Sequence, residues 1–309
     1  MGGAQDVSGL ECWLVNTLDL VSRLALGTAQ FGLTYGVANQ SGQVSVDEVG
    51  QILDAARQAG VMTLDTATAY GESERVLGRQ NLRDFSIITK LPEMPSDCSC
   101  VAGWVESQLH ASLERLRLPA IDGLLLHRPG QLLEPHGQEL YRALQAQREQ
   151  GLVSRIGISV YGPEELEALC RSYHFDLVQA PFNVFDKRLL LSGWLERLKH
   201  GGTDLHVRSV FMQGLLLMSS EQRPKKFSRW AEQWSMWEQW LADTQQSPLE
   251  ACLRHALSMA QIERVVIGVD SPRQWQEILQ ASAGNCPPIP SELACTDIEL
   301  LNPSLWSRL

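Results

Sequence analysis

The chain is short of the features that mark most specialised classes of protein. No basic run interrupts it, and its 26 Lys and Arg are outnumbered by 36 Asp and Glu, for a formal charge of −10. Nucleic acid needs a basic stripe, so it is not an expected partner, although local Arg or Lys can still hold a small anion. No apolar stretch approaches the roughly 18 residues of a membrane span, so no membrane partner is expected. The first cation is Arg23; without a basic n-region, no secretory leader is expected. The 7 cysteines (Cys12, Cys98, Cys100, Cys170, Cys252, Cys286, Cys295) are odd in number and irregular in spacing, and Cys98-Ser-Cys100 is tighter than zinc or redox motifs use. They read as reduced thiols of a cytoplasmic protein. Histidine is scarce, with 7 residues and no HxH pair. That speaks against a metal-dependent hydrolase, and no metal ligand is expected. A G-x-G-x-x-G turn is also missing: GTAQFGLTYG does not fit it and no Walker lysine follows.

What is present is an alternation. Apolar residues make up 44% of the chain, enough for a sizeable core. Short runs rich in Leu, Ile, Val or Thr each precede an amphipathic stretch. The runs are LALGT (24–28), VMTLD (61–65), SIITK (86–90), IDGLLLH (121–127), SRIGIS (154–159), DLVQA (176–180), LHVRSV (205–210) and RVVIGV (264–269). Such runs read as buried parallel strands. Eight alternations without a break predict an α/β fold, a closed (β/α)8 TIM barrel rather than a doubly wound sheet. We expect a single domain over 1–309 with a barrel core of about 22–283, an N-terminal plug or hairpin over 1–23, and an irregular Pro-rich tail over 284–309. Trp230, Trp234 and Trp237 share one helical face and read as packing residues.

Four polar residues follow these runs. Asp65, Lys90 and His127 end three of them, and Tyr70 lies five residues past Asp65 in DTATAYGESE. Strand C-termini converge in a barrel, so a carboxylate, a phenol, an ammonium and an imidazole would meet there. Singly, each reads as a core or surface residue. As an ordered set at strand ends they are the parts of a proton-delivery device.

This ordered set, with LALGTAQFG, LDTATAYGESERVLG, ITKLP, IDGLLLHRP and GISVYGPEEL, resembles the aldo-keto reductases over roughly residues 22–283, and GTAQFGLTYGVAN is similar to a bacterial branch of uncertain substrate. The resemblance implies a barrel that binds a nicotinamide cofactor across its C-terminal rim and reduces an aldehyde or ketone, a sugar among the candidates. It implies a catalytic set of Asp65, Tyr70, Lys90 and His127. Tyr70 would donate the proton, Lys90 would lower the phenol pKa, Asp65 would hold Lys90, and His127 would orient the carbonyl oxygen.

The same resemblance implies cofactor contacts from Gly27, Thr28, Asp65, Ser159, Gln179, Arg208, Ser209, Gly214, Gly268, Ser271, Arg273 and Gln274, and marks Asn183. Four positions depart from the pattern. Val160 replaces an amide that would contact the carboxamide. Arg208 replaces an aromatic ring that would stack under the nicotinamide. Gly268 and Gln274 stand where many members have Lys and Arg. NADP(H) is the expected cofactor ahead of NAD(H), and Arg208 is expected to weaken binding of the oxidised, cationic form. Substrate-facing loops are expected at 29–44, 128–136 and 210–228, with Phe31, Tyr35, Arg128, Phe211 and Met212. The alternative function is a cofactor-binding sensor or regulatory protein with little turnover. A monomer is consistent with the sequence.

Overall fold

The structure is a computed structural model that describes residues 20–39 and 41–309. The expected N-terminal plug and Cys12 therefore lie wholly or largely outside the described residues. Eight strands form: β1 (Leu24–Gly27), β2 (Thr63–Asp65), β3 (Ser86–Leu91), β4 (Ile121–Leu126), β5 (Val153–Ser159), β6 (Leu177–Pro181), β7 (Asp204–Arg208) and β8 (Arg264–Gly268). They close in sequence order into one barrel. Every neighbouring pair is parallel, including β1 against β8 with Gly27 opposite Gly268.

Side chains alternate between the inside and outside of such a barrel. The register places Asp65 level with Ile88, Lys90 with Leu125, and Ser159 with Gln179 and His206. These therefore face inward. Ile88, Leu125 and Leu177 form a small apolar cluster of their own inside the barrel. The larger core, with Leu24, Leu26, Leu64, Leu124 and Val178, lies between the barrel and its helices.

Local chemistry sets the helix starts. Val46–Gln58 and Pro248–Ser258 begin with capping boxes, Ser45 with Glu48 and Ser247 with Glu250. Proline opens Pro163–Leu169 and Pro272–Ala281, where its missing N–H costs no helix bond. The amphipathic stretch KRLLLSGWLERLKHG after β6 forms two helices, Arg188–Leu191 and Trp194–His200. Gly193 between them adopts φ +76, which only glycine enters readily.

The tryptophan-rich segment is the helix Ala231–Thr244, with Trp234, Trp237 and Trp240 buried and Trp230 at its N-cap. Its inner face is thus one turn further along than expected. The tail packs along it. Trp240 Nε1 donates to the Pro288 carbonyl at 3.2 Å, Gln233 Nε2 to Leu293 at 2.7 Å, and Trp230 Nε1 to Asp297 Oδ2 at 3.0 Å. Indole rings combine a large apolar area with one donor, which suits them to holding a chain with little regular structure.

Candidate active site

The C-terminal ends of the strands bring the four predicted residues together. Lys90 is fully buried; its Nζ lies 2.7 Å from Asp65 Oδ2 and 2.9 Å from the Thr66 carbonyl. The ammonium stands over the Tyr70 ring, 5.1 Å from its centroid. The Tyr70 and His127 rings meet edge to face at 6.0 Å. Asp65, Tyr70 and His127 line a cavity of about 350 Å³, which Lys90 supports from behind.

Electrostatics refine these roles. Burial holds the Lys90 amine below its ordinary pKa, and Asp65 opposes that shift. His127 falls to about 3, through burial first and then Lys90, Arg208 and Arg128, so its imidazole is neutral at any physiological pH. The Tyr70 phenol is pushed up, by burial and then by the Asp65 carboxylate, while Arg208 pulls it down. Lys90 directs two of its donors at Asp65 and Thr66 while its ammonium stands over the Tyr70 ring, and Arg208 adds a second cation that favours the phenolate.

Gly27, Thr28, Arg208, Ser209 and Gly268 also line this cavity. Thr28 Oγ1 donates to the Asp65 carbonyl at 3.0 Å, and Ser73 Oγ donates to Thr28 Oγ1 at 2.8 Å, which fixes the floor. Arg208 stacks on Tyr161, 4.8 Å from the ring centroid, and donates to the Val160 carbonyl at 3.0 Å. The wall therefore carries a guanidinium–phenol pair. Ser159 and Gln179 are buried and committed: Gln179 Nε2 donates to Asp65 Oδ1 at 2.6 Å, and Ser159 Oγ donates to Gln179 Oε1 at 3.4 Å. They support Asp65 and are not among the residues lining the cavity. Asn183 Nδ2 donates to the Ser209 carbonyl at 3.1 Å and pins that loop.

A second cavity of about 210 Å³ continues outward, sharing Gln30, Tyr35, Phe211, Gln213 and Gly268 with the first. Gly214 and Gln274 line it. Ser271 instead caps the helix Pro272–Ala281, and Arg273 points to solvent beside Glu277. Residues that sequence reasoning passed over include Gln30, Tyr161, Gln213 and Glu277. Only Tyr161, an aromatic directly after β5, carried a readable signal. Among the expected substrate residues, Tyr35 and Phe211 line the cleft, whereas Phe31 and Met212 are fully buried in the core. Arg128 lines a third cavity of about 240 Å³ that shares His127 and Tyr161 with the first.

The joined cavities fit a nicotinamide dinucleotide. They adjoin through five shared residues, with the Tyr70 phenol at the inner end. Glycines keep them open: a Cβ at Gly268 would sit 2.6 Å from the Gln30 side chain, and one at Gly214 would run into Ala38. Gln213 ties the two rim loops together, with its Nε2 donating to Tyr35 Oη at 3.1 Å and its carbonyl accepting from Val37 N at 3.1 Å. Among the described residues no group of three or more His, Cys, Asp or Glu can hold a metal ion.

The aldo/keto reductase family matches residues 23–288. A D-threo-aldose 1-dehydrogenase from a Pseudomonas species is 28% identical over 308 residues, which is 85% of this chain and 92% of that protein. The uncharacterized oxidoreductase YqkF of Bacillus subtilis is 25% identical, over 83% of this chain and 90% of its own. The solved aldo-keto reductase AKR11C1 from Bacillus halodurans, in its holo form, superposes with a TM-score of 0.68 at 19% identity, over 88% of this chain and 89% of that one. This chain belongs to the aldo/keto reductase family. It is an oxidoreductase that uses a nicotinamide cofactor. No helix among the described residues is long and apolar enough to cross a membrane.

Proposed function

We propose that the protein interconverts an aldehyde or ketone and its alcohol, with a polyhydroxy aldehyde as substrate class, and that Tyr70 supplies the proton in the reducing direction. The observation that carries this reading is the convergence of Asp65, Tyr70, Lys90 and His127 at the inner cavity. When bound, the nicotinamide supplies hydride to the carbonyl carbon. The remaining work belongs to side chains.

The substrate oxygen sits between the Tyr70 hydroxyl and the His127 ring. Neutral His127 donates one N–H to it, orienting the carbonyl and stabilising the charge that grows on oxygen. Tyr70 Oη then gives its proton to that oxygen. Even a phenol raised by burial is more acidic than the alcohol it forms, so the transfer runs downhill. Lys90 and Arg208 stabilise the phenolate left behind, and Asp65 with Gln179 keeps Lys90 in place. The phenol regains its proton from solvent through the open cavity.

The third cavity supports the substrate class. Its lining of Glu93, Arg128 and Glu134 offers hydrogen bonds to a hydroxylated tail whose carbonyl reaches His127. The aldose in the name of the Pseudomonas relative points the same way. Cys98, Cys100, Cys170, Cys252, Cys286 and Cys295 are unpaired, which supports a reducing, cytoplasmic setting for one barrel unit.

The test is turnover of an aldose panel by the parent protein and by Tyr70→Phe, with cofactor binding followed by tryptophan fluorescence. The variant should lose about 10²–10⁴-fold in kcat while binding cofactor as before. A parent protein that binds cofactor tightly and turns over none of the panel would favour the regulatory alternative.

A further inference from the structure

We infer that the outer end of the cleft selects a ribose 2′-hydroxyl against a 2′-phosphate, so that this protein takes NAD(H) in preference to NADP(H). The inference rests on the reductase reading above, and it reverses the cofactor preference implied by the sequence resemblance.

The tetrad fixes which end of the cofactor lies where. The nicotinamide ring has to reach a carbonyl held between Tyr70 and His127, so it occupies the inner cavity. The adenosine half is left with the contiguous outer one. That outer cavity suits an adenine on its apolar side, where Leu217, Leu249 and Ile278 form the wall. Its polar lining includes Asn39, Asp270, Gln274 and Glu277, so it holds two carboxylates and, among the described lining residues, no cation.

Two of the backbone donors that could meet a phosphate there are already used. Ser271 Oγ accepts the Gln274 backbone N–H at 3.2 Å. Gln274 Oε1 accepts the Asp270 N–H at 2.8 Å. Two donors at the start of the helix Pro272–Ala281 are therefore committed to its own caps. Arg273, the nearest cation in sequence, has a side chain 89% exposed and pairs with Glu277 at 2.9 Å. Asp270 is half-buried and fixed by Asn39 Nδ2 at 3.0 Å. Burial raises its pKa, a sign that little solvent is available to screen a second anion beside it.

The two ribose substituents meet these groups very differently. A hydroxyl donates a hydrogen bond to a carboxylate. A phosphate monoester carries a charge of about −1.5 to −2, accepts only, and is repelled by Asp270 and less strongly by Glu277, whose charge Arg273 partly offsets.

Binding of NADH and NADPH to the full-length chain, read by quenching of tryptophan fluorescence, tests this without reliance on turnover. NADH should bind at least about tenfold more tightly at low ionic strength, and the gap should narrow as salt screens the repulsion. Glu277→Gln, at an exposed position, should bring the two affinities closer, and Asp270→Asn should do so further. Equal affinities, or tighter NADPH, would overturn this inference and leave the reductase reading standing. Failure of both nucleotides to bind would overturn both.

Discussion

At the inner end of the cleft a buried cation, Lys90, lies 2.7 Å from a buried carboxylate, Asp65, and each charge is neutralised by the other. At the outer end Asp270 and Glu277 face the cavity with no cation among the residues that line it. The inner pair rests on the barrel itself, on β2 and β3, with Gln179 of β6 bracing it. The outer carboxylates sit on the loop after β8 and on one helix face. Chemistry common to a family requires fixed distances and is built on strand ends. Discrimination between ligands requires only a local sign of charge and is built on loops, where substitutions are tolerated.

The comparison is broken most severely by Lys90→Met. It leaves the Asp65 carboxylate buried without its cation, which should cost about 3–5 kcal/mol of stability in addition to turnover. Denaturant unfolding measures this; an unchanged midpoint would mean that the pair is not structural. Next comes His127→Ala. Losing one donor to the developing oxyanion should lower kcat about 10²–10³-fold with cofactor affinity unaltered, as steady-state kinetics and titration together would show.

Smaller changes are expected further out. Replacing Arg208 by Leu removes a cation from the inner wall, so the predicted preference for reduced over oxidised cofactor should shrink several-fold, within the range of a single charge interaction. Fluorescence titration with both redox forms checks it, and equal affinities in the parent protein would sink the premise. Glu277→Gln should change nucleotide affinity by less than these, as titration with NADH and NADPH would show.

The least local effect is on acid stability. His127 and His255 are held at about 3 and about 4 in the folded chain, and His206 is also depressed, burial being the first cause in each. In the unfolded chain each titrates near 6.5. Between these values the unfolded state binds more protons. Stability is therefore complete above about pH 6.5 and is lost progressively as pH falls towards 4. Melting temperatures across that range measure the loss. Over pH 5–8 the kcat/KM profile should show no ionisation from His127.

Much of the barrel was legible because its strands are buried on both faces and appear as unbroken apolar runs. All eight coincide with expected runs to within two residues at each end. The helix break at Gly193 was not read, because a glycine within an amphipathic pattern costs little unless its backbone turns left-handed. At the site, Asp65, Tyr70, Lys90 and His127 could be read because each ends or closely follows a strand. Gln30 and Gln213 could not, because loop residues meet only through tertiary contact.

The sequence by itself determined the alternation of elements, the order of the barrel and the identity of the four converging residues, since all of these are fixed by local periodicity and strand position. Only the tertiary structure decided what those residues do to one another. It turned Lys90 towards Asp65 and not the Tyr70 hydroxyl, committed Gln179 to the same carboxylate, stacked Arg208 on Tyr161 and gathered Asp270 and Glu277 onto one cavity wall. Charge interactions depend on distance and burial. Neither is encoded in spacing along the chain when the partners come from different strands and loops.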